Sequence, residues 1–429
     1  MGTSEWPRRA LKGRPHRLFP ELVCATDAVA QLPTRSFSFE RVEGALLGCR
    51  PNLSVGILRR RSVAGLYLSY FAFVGAFSPY LALWFSAQGM SITQIAILMA
   101  MPQALRVVAP PFWGWLADRS GQAGRLLQCS AAVALVAVLA LGQSDGFSGL
   151  VWTMFVLFFA TSAQGPLTES LTLGLVRGDP GQYGRIRLWG SVGFILAVTA
   201  TGPLLDHAGI DRLPDLMAVL SALVLVAALQ IPALAAREPE PSPVRLRDQL
   251  REPAVLALFT GAFWMVFAHA ALYSFYSLHL EKMGYSRSLI GLLWATGVAV
   301  EILFFRFQRS LFARFDPRRL LSISFAVAVL RFGLIAAAGP DLVLLVLGQV
   351  LHGVTFGVHH SASLALLHRS FAHRGQAAAQ AIYVAVSYGV GGTLGGLAAA
   401  WLWEWSGPRL MWTGAACAAV LGWLAARRC

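Results

Sequence analysis

Three ionisable residues stand where an apolar chain can least accommodate them. Glu301, Arg331 and His352 each lie inside a long apolar run. A charge at mid-membrane costs about 3 kcal/mol or more on insertion scales. Counted from the ends of their runs at ~1.5 Å per residue, the three lie about 12, 18 and 16 Å deep. That is the middle of a hydrocarbon layer about 30 Å thick. A carboxylate, a guanidinium and an imidazole on successive runs can compensate one another. They can also carry a proton, because burial makes a carboxyl group hold its proton and a nearby guanidinium makes it let go. Arrival of a solute would tip that balance. Two readings therefore stand: a set that couples proton to solute, with Glu301, His352 and Arg331 as its members, or an ion cluster that only pins helices together.

Other polar side chains could join this set. Arg331 suits a solute carboxylate, being planar, permanently charged and capable of a bidentate grip. Arg106, in the second run, could attract an anionic solute or pair with Glu169 of the fourth. His359 follows His352 by seven residues, which puts both on nearly one face of a helix. On that reckoning His360 points elsewhere. His359 reads either as cavity lining or relay, or as a packing histidine, and His269 carries the same two readings. Tyr67, Tyr70, Phe77, Tyr80 and Trp84 recur at steps of three, four and seven, and Tyr273 and Tyr276 are three apart. Tyr70, Tyr273 and Tyr276 suit an aromatic-lined cavity. The alternative is ordinary apolar packing, with Trp84 in an interfacial belt.

Several chemistries are not expected. The histidines and the five cysteines (Cys24, Cys49, Cys129, Cys417, Cys429) lack ligand spacing, so neither a metal site nor a disulfide framework is anticipated. There is no phosphate-binding glycine loop, no G-x-S-x-G elbow and no H-E-x-x-H. The chain reads as no enzyme, and no cofactor is implied.

The elements that must hold these residues are membrane-crossing helices. Hydrophobic residues make up 56% of the chain and charged residues 13%, outside the soluble range. From Ser62 onward about twelve apolar runs alternate with short polar breaks: 62–86, 91–116, 124–143, 149–174, 185–205, 213–236, 254–279, 287–309, 319–338, 341–366, 374–402 and 407–426. Each is long enough to cross as a helix, the form that satisfies its own backbone in lipid. The net charge of +14 does not signal nucleic acid, because the basic residues gather at alternate breaks. Sixteen arginines lie at or beside the breaks after runs 2, 4, 6, 8 and 10. The opposite breaks hold Arg212, Lys282, Arg287 and Arg409. This bias expects both termini in the cytoplasm. The longest break, 237–253, divides the chain into six runs and six. The expected layout is a tail over 1–61, disorder being its simplest reading, a bundle over 62–236, a linker over 237–253 and a second bundle over 254–429. Such halves, related by pseudo-two-fold symmetry, bind solute between them near the midplane.

The break after run 2 reads Gly114-Trp115-Leu116-Ala117-Asp118-Arg119-Ser120-Gly121-Gln122-Ala123-Gly124-Arg125. This resembles the loop signature of the major facilitator superfamily, in its usual place between spans 2 and 3. Gly114 allows close helix approach, Asp118 can cap a helix or pair with an arginine across the bundle interface, and Gly121 permits a tight turn. The resemblance implies that Gly114, Asp118, Arg119 and Gly121 steady one conformational state without touching solute. The equivalent stretch Arg306–Arg319 resembles a degenerate second copy, or simple positive-inside charge. Three further stretches are similar to the phenylpropionate permease branch of that superfamily, itself similar to the proton–sugar symporters. They are Tyr183–Phe194, Glu301–Phe305, and Leu351–Gly357 with Gln380 and Tyr383.

Together these readings anticipate an all-α membrane protein of twelve helices in two six-helix bundles. The resemblance implies a monomeric permease of the bacterial inner membrane, with solute, protons and lipid as its partners. It would import a small aromatic carboxylate with a proton. A sugar or nucleoside symporter, a drug exporter, and a sensor without flux are the alternatives.

Overall fold

A computed structural model of the chain describes residues 53–176, 179–231, 247–371 and 375–429. Contacts divide the chain into Met1–Arg61 and Ser62–Cys429. Within the first unit, residues 53–61 are described and helical; the rest of the anticipated tail lies outside the described residues. The first described helix is Leu53–Phe77, so helix already runs ahead of Ser62. Of the anticipated linker only 247–253 is described. A short helix, Arg247–Leu250, leads there into Pro253.

Eleven described helical stretches are long and apolar enough to cross a membrane. They are α1 (Arg60–Ala87), α2 (Ile92–Ser120), α3 (Ala123–Leu141), α4 (Gly146–Val176), α5 (Gly181–Ala208), α6 (Ile210–Leu229), α7 (Pro253–Lys282), α8 (Arg287–Arg314), α9 (Pro317–Ala338), α10 (Leu342–Ser370) and a last stretch, Ala378–Ala426. That last stretch has 49 residues. As one helix it would reach about 74 Å at ~1.5 Å per residue, more than twice the hydrocarbon thickness. It breaks at Ser406 and Gly407, where Gly407 takes φ 79°, just before Pro408. The chain folds back there. Leu402 lies where a side chain on Gly414 would stand, and Trp403 and Trp412 both pack on His279, with ring centroids 6.1 and 5.8 Å away. The stretch is therefore two spans, α11 (378–405) and α12 (408–426). The twelve-helix expectation holds.

Local chemistry sets the ends. Ser91 and Gln94 close a capping box at the start of α2, and Gly121 caps its end at φ 64°. Asp179 and Asp316 cap α5 and α9, each ahead of a proline. The backbone N–H of Gln182 and that of Arg318 hold these two carboxyls below the usual carboxylate range. Both caps are exposed.

Small residues bring the helices together, as lipid supplies no hydrophobic drive between them. Gly391 and Gly395 of α11 face the backbone of Phe263 and Phe267 in α7, while Gly392 faces Gln103 of α2. The overlapping G-x-x-x-G pairs are thus packing surfaces for two neighbours. Trp84 is buried against Phe85 rather than standing in an interfacial belt.

Among the described residues, the hydrogen bonds joining the two bundles gather at one face, the arginine-poor one. Asp206, at the end of α5, accepts from the backbone N–H of Arg287 and of Ser288, both at 2.9 Å, and from the Ser288 hydroxyl at 2.5 Å. Tyr80 donates to the Arg287 carbonyl at 3.3 Å, and Thr93 donates twice to Glu404. Gly202 and Gly291 lie in this contact, where an added side chain would meet the facing backbone. At the arginine-rich face Asp118 is exposed and forms no ion pair among the described residues. Arg119 lies over the Trp115 ring at 5.7 Å.

Candidate functional site

Glu301, Arg331 and His352 come together at the middle of α8, α9 and α10. Glu301 Oε1 lies 2.7 Å from His352 Nε2. Their side chains are 15% and 6% exposed, so this is a pair inside the protein, not one facing lipid. Arg331 is completely buried. Its Nε donates to the Gly348 carbonyl at 2.7 Å, and Nη1 lies 3.1 Å from Thr355 Oγ1 and 3.2 Å from His269 Nε2. His269 Nδ1 sits 2.8 Å from the Met265 carbonyl. A carbonyl only accepts, so Nδ1 carries the proton and Nε2 is left as an acceptor for Arg331 or Thr355. The neutral His269 thus completes the arginine's shell. Arg331 Nη2 and His352 Nδ1 are buried without a hydrogen-bond partner.

This shell changes the part Arg331 can play. With three of its donor directions engaged and no exposed surface, it holds α9, α10 and α7 together beneath the Glu301–His352 pair. Among the described residues its neighbours include no carboxylate within ion-pair distance. Glu301 lies within its electrostatic reach.

Arg106 is the contrasting cation. It is exposed, and it belongs to none of the ion pairs among the described residues. The alternative pairing with Glu169 is not formed, because Glu169 accepts instead from Tyr183 OH at 2.6 Å. Arg106 lies over the Tyr388 ring at 5.6 Å and within electrostatic reach of Tyr70 and Tyr273. Four side chains from α1, α2, α7 and α11 therefore converge across the bundle boundary. Tyr70 and Tyr273 are half-buried. Tyr273 stacks on Trp294 with ring centroids 6.1 Å apart. Tyr276 is fully buried between Trp294 and Trp412, away from any open surface.

The seven-residue reckoning in α10 fails, for a physical reason. Gly353–Val358 is a π-helical segment, as is Ala385–Gly391 in α11. A π segment adds about one residue to a turn. His352, Phe356 and His360 consequently share one face and stack in sequence, with centroids 5.5 and 6.1 Å apart. His359 turns to α9 instead, where Ser324 and the edge of Phe325 enclose it together with Ser363 of its own helix. His360, set aside on α-helical spacing, faces the site, with Tyr388 OH 3.4 Å from its Nδ1. Thr355, the Gly348 carbonyl, His360 and Tyr388 are the parts that sequence reasoning missed. The glycines at 353, 357, 389, 391 and 392 mark both irregular segments, but no spacing rule converts them into a π turn.

A second polar patch lies in the first bundle. Arg187 stacks over Phe71 at 4.3 Å and Tyr67 at 5.4 Å, and Tyr67 OH meets Thr172 at 3.4 Å. An apolar cleft of about 450 Å³ between α7 and α11, bounded in part by Phe259, Phe263 and Ile382, contains none of the ionisable residues. Among the described residues no group of three or more His, Cys, Asp or Glu side chains could hold a metal ion.

Known proteins share this architecture. The chain is 29% identical over 362 residues to a probable 3-phenylpropionic acid transporter of Escherichia coli (strain K12), covering 81% of this chain and 92% of that protein. It is 29% identical over 347 residues to a maltose permease of Geobacillus stearothermophilus, covering 78% and 86%. A crystal structure of the nucleoside transporter NupG superposes with a TM-score of 0.76 at 19% identity, over 86% of this chain and 98% of that one. Since the family model described as MFS_1 like matches residues 61–413, the chain belongs to that family and is a multi-pass membrane transport protein, not an enzyme.

Proposed function

We propose that the protein imports a small aromatic carboxylate together with a proton by alternating access. The observation that carries this reading is the Glu301–His352 contact of 2.7 Å, set beside the buried Arg331 shell at mid-membrane. Ionisable groups are costly inside a membrane, and where they occur they mark solute, ion and proton pathways. Glu301 is the protonation site, and His352 is the group that stabilises its ionised form. Arg331 keeps the pair oriented. The solute's carboxylate docks on Arg106, and its ring lies between Tyr70 and Tyr273. The described hydrogen bonds between the bundles lie at the arginine-poor face, so in this reading the solute site opens to the arginine-rich side. By the positive-inside rule that side is the cytoplasm, and both termini lie there. Gly114, Asp118, Arg119 and Gly121 act when the opposite state closes this side.

The test is whole-cell uptake of labelled 3-phenylpropionate, with labelled maltose and uridine as rivals, with and without a protonophore. We expect 3-phenylpropionate to accumulate and the protonophore to abolish its accumulation. Glu301→Gln should still exchange solute across the membrane but no longer concentrate it. Uptake of maltose alone would favour a neutral solute, a reading supported by the equal identity to the maltose permease. Such a solute would have no use for an unpaired Arg106.

A further inference from the structure

We infer that His360 and Tyr388 form the link by which occupancy of Arg106 reaches Glu301, with His360 as its positioning residue. The inference rests on the transport reading above and names residues that reading does not use.

Its basis is a continuous path of contacts. Arg106 of α2 lies over the Tyr388 ring at 5.6 Å. Tyr388 OH meets His360 Nδ1 at 3.4 Å. The His360 ring stacks on Phe356 at an interplanar angle of 6°, and Phe356 stacks on His352 at 17°. His352 holds Glu301. His360 also lies within electrostatic reach of Glu301 directly. Both π segments sit on this path, and each aims one of its members: the first brings His360 under Phe356, and the second contains Tyr388. Such segments are rare and concentrate at functional sites. Arg106 and Tyr388 belong to opposite bundles, so their contact must change as the bundles rock. A carboxylate arriving on Arg106 competes for the guanidinium that now faces the Tyr388 ring. The phenol then shifts against His360, and the stack carries that shift to His352 and Glu301. A two-state element biased from both ends meets the physical requirement for coupling.

The measurement compares proton-driven accumulation with equilibrium exchange of 3-phenylpropionate in membrane vesicles. In His360→Phe and in Tyr388→Phe, accumulation should fall about tenfold while exchange stays within about twofold, an ordinary size for a coupling energy. His360→Asn keeps an acceptor for the phenol's hydrogen near the position of Nδ1 but no ring to stack on Phe356, so its accumulation should fall as well. The double variant should be no worse than either single one, because both cut the same path. Two outcomes overturn the inference: His360→Phe accumulates like wild type, or it loses exchange and accumulation in equal measure. Failure of the wild type to accumulate 3-phenylpropionate, or accumulation by Glu301→Gln, overturns the transport reading itself. That result is distinguishable, and the inference falls with it.

Discussion

Arg331 and Arg106 carry the same charge in opposite settings, and their variants should separate stability from binding. Arg331→Ala leaves the Gly348 carbonyl, Thr355 and His269 short of a donor inside the protein. Leaving a buried polar group without its hydrogen-bond partner costs about 1–3 kcal/mol. The detergent-solubilised variant should therefore show a clear drop in its thermal unfolding midpoint. Arg106→Ala removes an exposed cation with one ring contact, so its midpoint should stay near wild type. Its affinity for 3-phenylpropionate should fall about tenfold or more, equivalent to ~1.4 kcal/mol or more. Equal midpoints for the two variants would contradict the structural role assigned to Arg331. The sequence makes the three mid-membrane groups conspicuous because burying charge in lipid is costly. It could not tell which arginine is enclosed, since the acceptors that satisfy Arg331 of α9 come from α7 and α10 at once.

At the scale of elements, α5 and α8 meet through Asp206 and two glycines. Hydrogen bonds to a charged group contribute about 1.5–3 kcal/mol each, and Asp206 accepts three across the bundle boundary. Asp206→Ala should shift the population toward opening at the arginine-poor face. The readout is the reaction of a membrane-impermeant maleimide, applied from that face, with a cysteine installed by Tyr70→Cys in a chain cleared of its native cysteines. Loss of the equivalent of even one such bond, ~1.4 kcal/mol, raises the open fraction about tenfold, so labelling should accelerate by at least that factor. Gly202→Val should act in the same direction, because the facing Arg287 backbone leaves no room for a Cβ. Unchanged labelling in both variants would remove the seal assigned to this contact. The α10 histidines show where element-level reading reaches its limit. Seven-residue spacing is sound for an α-helix, but the π segment shifts the phase, and neighbouring His359 and His360 exchange roles.

For the whole molecule, the arginine asymmetry makes a prediction about sidedness. A fluorescent protein fused after Cys429 should fluoresce, and alkaline phosphatase at the same place should be inactive. The same pair inserted in the break between α7 and α8, at 283–286, should give the reverse. An active phosphatase at the C-terminus would invert the proposed direction of opening. The same orientation places the sealed contacts of Asp206, Tyr80 and Glu404 at the outer face. The twelve spans were legible because each apolar run must meet the thickness of a bilayer. The break that the sequence places between 402 and 407 is realised at Ser406 and Gly407, inside the otherwise continuous helical stretch Ala378–Ala426.

The apolar runs, their polar breaks and the placement of arginine determine that this chain crosses a membrane many times, and they single out Glu301, Arg331 and His352 as charges needing company. Those conclusions depend on local composition and on the cost of charge in hydrocarbon, both readable residue by residue. Which groups touch is a different matter. The His352–Phe356–His360 stack, the enclosure of Arg331 and the approach of Arg106 to Tyr388 each depend on helix phase and on the packing of helices far apart in the chain. Only the tertiary structure decides them.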